Sequence, residues 1–401
     1  MKRVLLLCVA AISTLSFAQN VTENKLSFSY TQLPMVPIAK EYTNYNIVVE
    51  RNYEQANEDS LMSYQVRLEA ATIAYDTEML AWKEQRKVIY RDYYTKMAAW
   101  QKAVNAGTPT QRPVDPILPA QPVMAEVKSP VLNSDIEDAT VSSKINIQGY
   151  DQGEGGATVT VGINPLSNVN VVMKKSGSAA TTKYAYSVNY KLPVNVKVES
   201  PSQGVIWQTI LLNTVQSYTI NTYASEYEYQ MWWLDNEETF WPQFEKNVRT
   251  KALAEVNKQL NSQHGFPVKS RAIEIYTVKK FKDHQYNDLT NAYTAASQGY
   301  MQVAGSLDHS TAASKLNEAI TIWKQMLTES NVGDKKSRIN DKVTALLYCN
   351  LAEAYCWLND YNAARTYVNL AKNSGVGKFK RAAGGIESII NINEKRYKAN
   401  V

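Results

Sequence analysis

From about Tyr53 to Ala106 the sequence contains neither glycine nor proline and is rich in Ala, Glu, Lys, Gln, Met and aromatic residues. Such a stretch predicts one long helix, because both residues that break helices are missing from it. Leu61, Leu68, Tyr75, Trp82 and Ile89 recur at intervals of seven, with Tyr64 and Ala71 as partial companions. The stripe then steps by four to Tyr93 and continues at Trp100, which is a stutter in a heptad pattern. At 1.5 Å per residue an unbroken helix of this length extends roughly 80 Å and projects from any compact domain. A hairpin bend near Arg86 is the alternative, and pairing of the stripe with a second copy would make the helix a homodimer seam.

Gly107 ends this segment, and Pro113, Pro116, Pro119 and Pro122 follow at every third residue in PVDPILPAQP. Three residues is one turn of polyproline II, so the four rings share an edge. The spacing resembles the proline arm of the pancreatic-polypeptide hairpin, in which such a segment packs back on an aromatic-bearing helix. Here Ile89, Tyr90, Tyr93, Met97 and Trp100 offer that surface. A flexible linker and a ligand for a partner's aromatic groove are the other two readings.

The remaining chain predicts an α+β fold: an antiparallel-sheet domain (19–50 and 140–285) interrupted by the long helix (51–106) and the proline-rich arm (107–139), then an all-helical domain (286–401). Lys25–Tyr30 and Tyr45–Glu50 alternate as strands and read as a pair around the LPMVP turn. SKINIQ, ATVTVGI, NVNVVM, YAYSVNY and VNVKVES follow as strands. WQTILLNTV fits strand or helix, SYTINTY and YEYQMWW alternate as strands, Phe240–Gln263 is amphipathic, and AIEIYTV returns to strand. Five helical segments complete the chain, over Asp288–Ala304, Ser310–Glu329, Ile339–Leu358, Tyr361–Asn373 and Lys380–Lys398.

Within these helices Tyr348, Leu351, Ala352, Tyr355, Ala364, Val368 and Ala371 have the spacing of the tetratricopeptide repeat (TPR), with Asn359-Asp360 as the turn. Ala319, Trp323 and Met326 fit the second helix of a preceding unit, while Val376 stands where the repeat ends on proline. The chain resembles a TPR protein over about residues 310–373, and its arrangement is similar to that of TPR proteins of the Gram-negative, Bacteroidetes-type cell envelope. That resemblance implies partner binding and carries no activity with it.

Residues 1–18 read as a signal peptide: Lys2 and Arg3, an apolar run from Val4 to Phe17 too short to cross a bilayer, and Ser16-Phe17-Ala18 at the cleavage site. Export to the periplasm or envelope, with no membrane span, is the expectation. Processing removes Cys8 and leaves Cys349 and Cys356, too far apart along one helix for a disulfide. The formal charge of +5 over 401 residues is no nucleic-acid footprint. Lys378, Lys380, Arg381, Lys395, Arg396 and Lys398 gather at the end and read as a solvated capping helix.

Reactive constellations are missing: there is no GxSxG, GxxxxGK[ST], HExxH or CxxC, and His264, His284 and His309 lack ligand spacing. The glycine-rich run Gly149–Gly156 joins two strands, and its Asp151 and Glu154 are too few for calcium. We therefore expect no enzyme, catalytic residue, metal or cofactor. The expected role is a scaffold or adaptor that binds another envelope protein, with Tyr348, Tyr355 and Arg365 as candidate contacts. The alternative is carbohydrate binding or processing at the patch of Trp232, Trp233 and Trp241, which lies among Asp235, Glu237 and Glu238. Twenty-six tyrosines against seven phenylalanines favour surfaces that pack on one side and hydrogen-bond on the other.

Overall fold

The computed structural model describes residues 20–108, 110–178, 181–303 and 310–401, so the signal segment and His309 lie outside the described residues. The chain is α+β, with strands concentrated in the N-terminal half and helices in the C-terminal region. Strands β1 (Val21–Thr31) and β2 (Asn44–Arg51) precede α1 (Tyr53–Asn105) and a short α2 (Asp138–Lys144). Then come β3 (Asp151–Gln152), β4 (Ala157–Ile163), β5 (Ser167–Ser176), β6 (Lys183–Lys191), β7 (Val194–Ser200), β8 (Gly204–Leu211) and β9 (Gln216–Tyr223). Helix α3 (Glu226–Gln263) and β10 (Val268–Val278) lead into α4 (Asn287–Met301), α5 (Ser310–Leu327), α6 (Asp341–Trp357), α7 (Tyr361–Asn373) and α8 (Gly377–Asn400).

The strands form a five-stranded sheet in the order β3-β2-β4-β7-β8, a three-stranded sheet β5-β6-β9 and a ribbon β1-β10. The expected pairing of the first two strands does not occur. β1 runs antiparallel to β10 from Val21↔Val278 to Thr31↔Val268, while β2 is parallel to β3 and β4. The five-stranded sheet is thus mixed rather than antiparallel, since the chain between β2 and β4 is long enough for a crossover. Gly156 permits the β2 contact: a Cβ there would lie 1.7 Å from the Asn44 carbonyl oxygen.

Two expected strands are not strands. YEYQMWW is the start of α3, where Ser225 caps the helix: Oγ accepts from Glu228 N, and Glu228 Oε2 accepts from Ala224 N. This Ser-x-x-Glu box outweighs the local alternation, and α3 then continues through Pro242. SKINIQ is split between α2 and an irregular stretch. Its Ile145 and Ile147 are buried, but the side chains of Asn257 and Asn261 take the place of a neighbouring strand by accepting from Asn146 N and Gln148 N, each at 2.9 Å.

Alternating valines of β4 and β7 face Phe244, Val248, Leu253, Val256 and Leu260 of α3 in one core. The other core belongs to α4–α8, and the β1–β10 ribbon contributes Phe28, Ile273, Ile275 and Tyr276 to it. The ribbon therefore packs with the helical half, a departure from the boundary read at residue 286. Arg271 of β10 forks onto the buried Glu353 of α6 at 3.1–3.2 Å, and Trp357 Nε1 donates to the same carboxylate at 2.9 Å. Among the described residues, no helix is long and apolar enough to cross a membrane.

Polar contacts join the two cores at the turn after β1. Arg396 of α8 is buried and donates to the carbonyls of Leu33 and Ser262, and Asn400 Nδ2 donates to Pro34 O at 2.9 Å. The expected solvated capping helix is corrected here, because one of its cations is an interior tie and Lys378 pairs with Glu23 of β1. His264 is completely buried. Its Nδ1 lies 2.7 Å from Val36 O, and Nε2 has no hydrogen-bond partner.

Helix α1 is unbroken over 53 residues, about 80 Å long, and closes on Gly107 at φ +76°. Gly107 N bonds Val104 O and Thr108 N bonds Ala103 O, a Schellman turn that sends the chain back along the helix. The arm is docked. Trp100 Nε1 donates to Thr110 O, Tyr93 OH to Asp115 Oδ1, Trp82 Nε1 to Pro119 O and Asn57 Nδ2 to Asn133 O. From Thr110 to Pro119 the arm advances about 28 Å at 3.1 Å per residue, and from Trp100 back to Trp82 the helix covers about 27 Å. The match keeps the two in step. Pro113, Pro116, Pro119 and Pro122 are half-buried, whereas Val114, Ile117 and Val123 are 83, 92 and 86% exposed, so the proline edge meets the helix.

Two outcomes follow from this geometry. Trp82→Ala removes an indole donor and the ring under Pro119, which should raise hydrogen exchange across residues 110–125 while the melting temperature moves by less than about 2 °C, Trp82 lying outside both cores. Burial pulls the His264 imidazole down from 6.5 to about 4. The unfolded chain therefore takes up this proton first, so stability is full above about pH 6.5 and falls between 6.5 and 4, by at most roughly 3 kcal/mol. Urea midpoints followed over that range should decline more steeply for the native chain than for His264→Gln.

Candidate functional site

Helices α6 and α7 are set antiparallel by a Schellman turn with Asn359 in the left-handed region at φ 60°. Asn359 N bonds Cys356 O and Asp360 N bonds Tyr355 O, and Asp360 then caps α7 through Ala363 N. Ala352 and Ala364 are fully buried and let the two helices approach closely. Thirteen of the seventeen α6 residues are buried. Tyr348 and Tyr355 are partly open and meet Tyr367 of α7, at centroid distances of 6.1 and 5.7 Å, the second pair parallel within 4°.

Lys324 of α5 completes this face. Its Nζ lies 5.3 Å from the Tyr355 ring centroid, and a hydrogen bond with Tyr355 holds the ammonium above its ordinary value. Lys324 and Tyr367 were not among the sequence candidates. Their positions relative to Tyr348 and Tyr355 depend on how three helices pack, and no local spacing reports it. Arg365 is directed elsewhere: Nη1 donates to Asn391 Oδ1 at 2.7 Å and Nη2 pairs with Glu394, tying α7 to α8.

The patch of Trp232, Trp233 and Trp241 is one continuous aromatic layer between the N-terminal part of α3 and the three-stranded sheet. Tyr229 stacks on Tyr186 of β6 at 3.6 Å, Trp232 meets Tyr223 of β9, and Trp233 meets Phe240 and Trp241. Burial pushes the phenols of Tyr186, Tyr223 and Tyr229 up. Asp235, Glu237 and Glu238 stay in solvent on the outer side of α3. Trp241 borders a cleft of about 420 Å³ with Leu132, Leu166 and Glu245. Glu245 is engaged there by Arg249 and Ser134.

A second cleft of about 720 Å³ opens where the turn after β1 meets Tyr150, Gln203, Phe266 and the last residues of α8. Five segments distant in the chain line it, so nothing in the linear sequence points to it. Among the described residues no group of three or more His, Cys, Asp or Glu is placed to hold a metal ion. His284 contacts Lys336 O at 3.1 Å. Cys349 and Cys356 are free and buried, and burial pushes the Cys349 thiol up to about 12, so neither is a reactive thiolate at neutral pH. Comparison of the chain with protein-family models, curated proteins and solved structures finds no match.

The aromatic layer carries a stability consequence. Tyr229→Ala removes the ring that stacks on Tyr186 and touches Trp232 and Trp233, and should cost about 2–3 kcal/mol in chemical denaturation. Glu238→Gln, exposed on the other side of the helix, should shift the midpoint by less than about 0.5 kcal/mol.

Proposed function

We propose that this chain is an exported, non-enzymatic scaffold whose tetratricopeptide-like C-terminal helices hold another protein of the cell envelope. The observation that carries the reading is the face made by Lys324, Tyr348, Tyr355 and Tyr367, drawn from three consecutive helices. Each ring presents an apolar body and a hydroxyl, with one ammonium fixed among them. Tyrosines held rigidly on packed helices lose little side-chain entropy on binding and supply the residue type that dominates protein–protein hot spots. The composition suits a peptide that brings a carboxylate to Lys324 and apolar side chains to the rings. The spacing of the repeat, the leader-like first eighteen residues and the chain's resemblance to envelope TPR proteins support the same reading. Carbohydrate recognition at Trp232, Trp233 and Trp241 has weaker support, because those rings are engaged with one another.

The test is crosslinking capture from an envelope fraction with the full-length chain. The double variant Lys324→Ala, Tyr367→Ala should lose the captured partner by about tenfold or more, whereas Arg365→Ala should keep it. Equal capture by the native chain and the double variant would remove the proposal.

A further inference from the structure

Strand β5 is an edge strand of the three-stranded sheet, hydrogen-bonded to β6 on one side. Nine of its ten residues are exposed, Val172 being the exception. After a register shift near Asn168, the run Asn170–Ser176 pairs regularly with β6, setting Val171 beside Val188 and Met173 beside Tyr186. Val171 and Met173 therefore lie on the face where Val188 and Tyr186 are buried under the aromatic layer of α3. The ring contacts of that layer go to Tyr186, Tyr190, Tyr218 and Tyr223 of β6 and β9, while Val169 of β5 borders the cleft beside Trp241. Val169, Val171 and Met173 are left 39, 38 and 42% exposed.

An edge of this kind presents a row of unpaired backbone donors and acceptors together with a strip of uncovered apolar side chains, and both are satisfied by one more strand. The opposite edge differs. On β9 the exposed residues are Ser217, Thr219, Asn221 and Thr222, all polar. The β8 edge of the other sheet is interrupted by a register shift at Val198/Glu199.

We propose that β5 pairs antiparallel with β5 of a second copy of this chain, joining two three-stranded sheets into one of six strands. The sequence of the strand selects this occupant. Lys174 and Lys175 sit at one end, so parallel pairing sets like charges side by side, whereas antiparallel pairing carries them to opposite ends. A two-fold axis through Val172 keeps each side chain on its own face. It opposes Val171 to Met173 of the second copy, twice, and Asn170 to Lys174, so that at the centre apolar meets apolar and the Lys174 ammonium meets an amide, with Lys175 opposite Val169 toward each end. The same patch serves on both copies, as a two-fold interface requires. The apolar strip then continues from one aromatic layer to the next.

Sedimentation of the full-length chain across a concentration series should show a monomer–dimer equilibrium with a midpoint in the micromolar range. Val172→Lys sets two ammonium groups face to face on the axis and should weaken the dimer at least about tenfold, while Thr219→Lys on β9 leaves it unchanged. Residues opposed on the axis lie about 4.5–5.5 Å apart at Cα, within disulfide reach. Val172→Cys should accordingly oxidise to a covalent dimer, and Thr219→Cys should not, Cys349 and Cys356 being buried and Cys8 replaced by Ser in both variants. If Val172→Lys fails to fold, the Val172→Cys crosslink decides. A native chain that stays monomeric at every concentration would overturn the proposal. So would a dimer that survives Val172→Lys in a folded chain, or equal crosslinking at both cysteine positions.

Discussion

The apolar stripe of α3 is the surface on which the N-terminal half is assembled. Phe244, Val248, Ala252, Val256 and Leu260 recur on one side of the helix and are buried against the valines of β4 and β7. At about 1.5–3 kcal/mol for each large side chain, this contact is the main gain of the sheet region. Other parts hang on the same helix. Its first turns carry the aromatic layer over the three-stranded sheet, Glu245 accepts from Ser134 at the end of the proline arm, and Asn257 and Asn261 serve as a strand for residues 146–148. Its last residue but one, Ser262, accepts from Arg396 of α8.

The join between the two cores is made differently, from polar groups taken out of water. Arg396 has carbonyl and hydroxyl partners and, among the described residues, no carboxylate partner, and burial pulls its guanidinium down from its ordinary value. Buried cations without counter-charges are costly, so this one is held by geometry: the carbonyls of Leu33 and Ser262 and the Ser262 hydroxyl converge on it at the turn after β1. His264, neutral and completely buried, seals the same turn from the α3 side. Because β1 passes from this turn into the helical core beside β10, the first strand of the chain and the last helix meet at one place.

The long helix is rooted in the sheet-region core by Tyr53, and the rest of it stands apart from both cores with no other residue buried. A lone helix of that length gains little from packing, and its aromatic stripe would be left in water. The proline arm supplies the missing layer at low entropic cost, since prolines restrict the free chain to the conformation used in the docked one. The stripe that could have paired with a second copy is thereby occupied from Trp82 to Trp100 by the chain's own arm.

The linear sequence determined whatever depends on neighbours a few residues away. The uninterrupted α1, the three-residue proline period, the alternating strands β4, β6 and β7 and the α6–α7 pair with its alanines at the contact are all local patterns, and each is legible as such. So was half of the candidate site, Tyr348 and Tyr355, because their spacing belongs to one helix. The two misread strands had rival local signals: in YEYQMWW a capping box competes with alternation, and in SKINIQ the partner is a pair of asparagine side chains more than a hundred residues away. The tertiary structure alone decided that β1 pairs with β10, that Lys324 and Tyr367 join the tyrosines, that Arg365 turns to Glu394, and that Arg396 and His264 are interior. These depend on contacts between segments distant in the chain. Periodicity states which face of an element is apolar, but it carries no information on which other face will cover it.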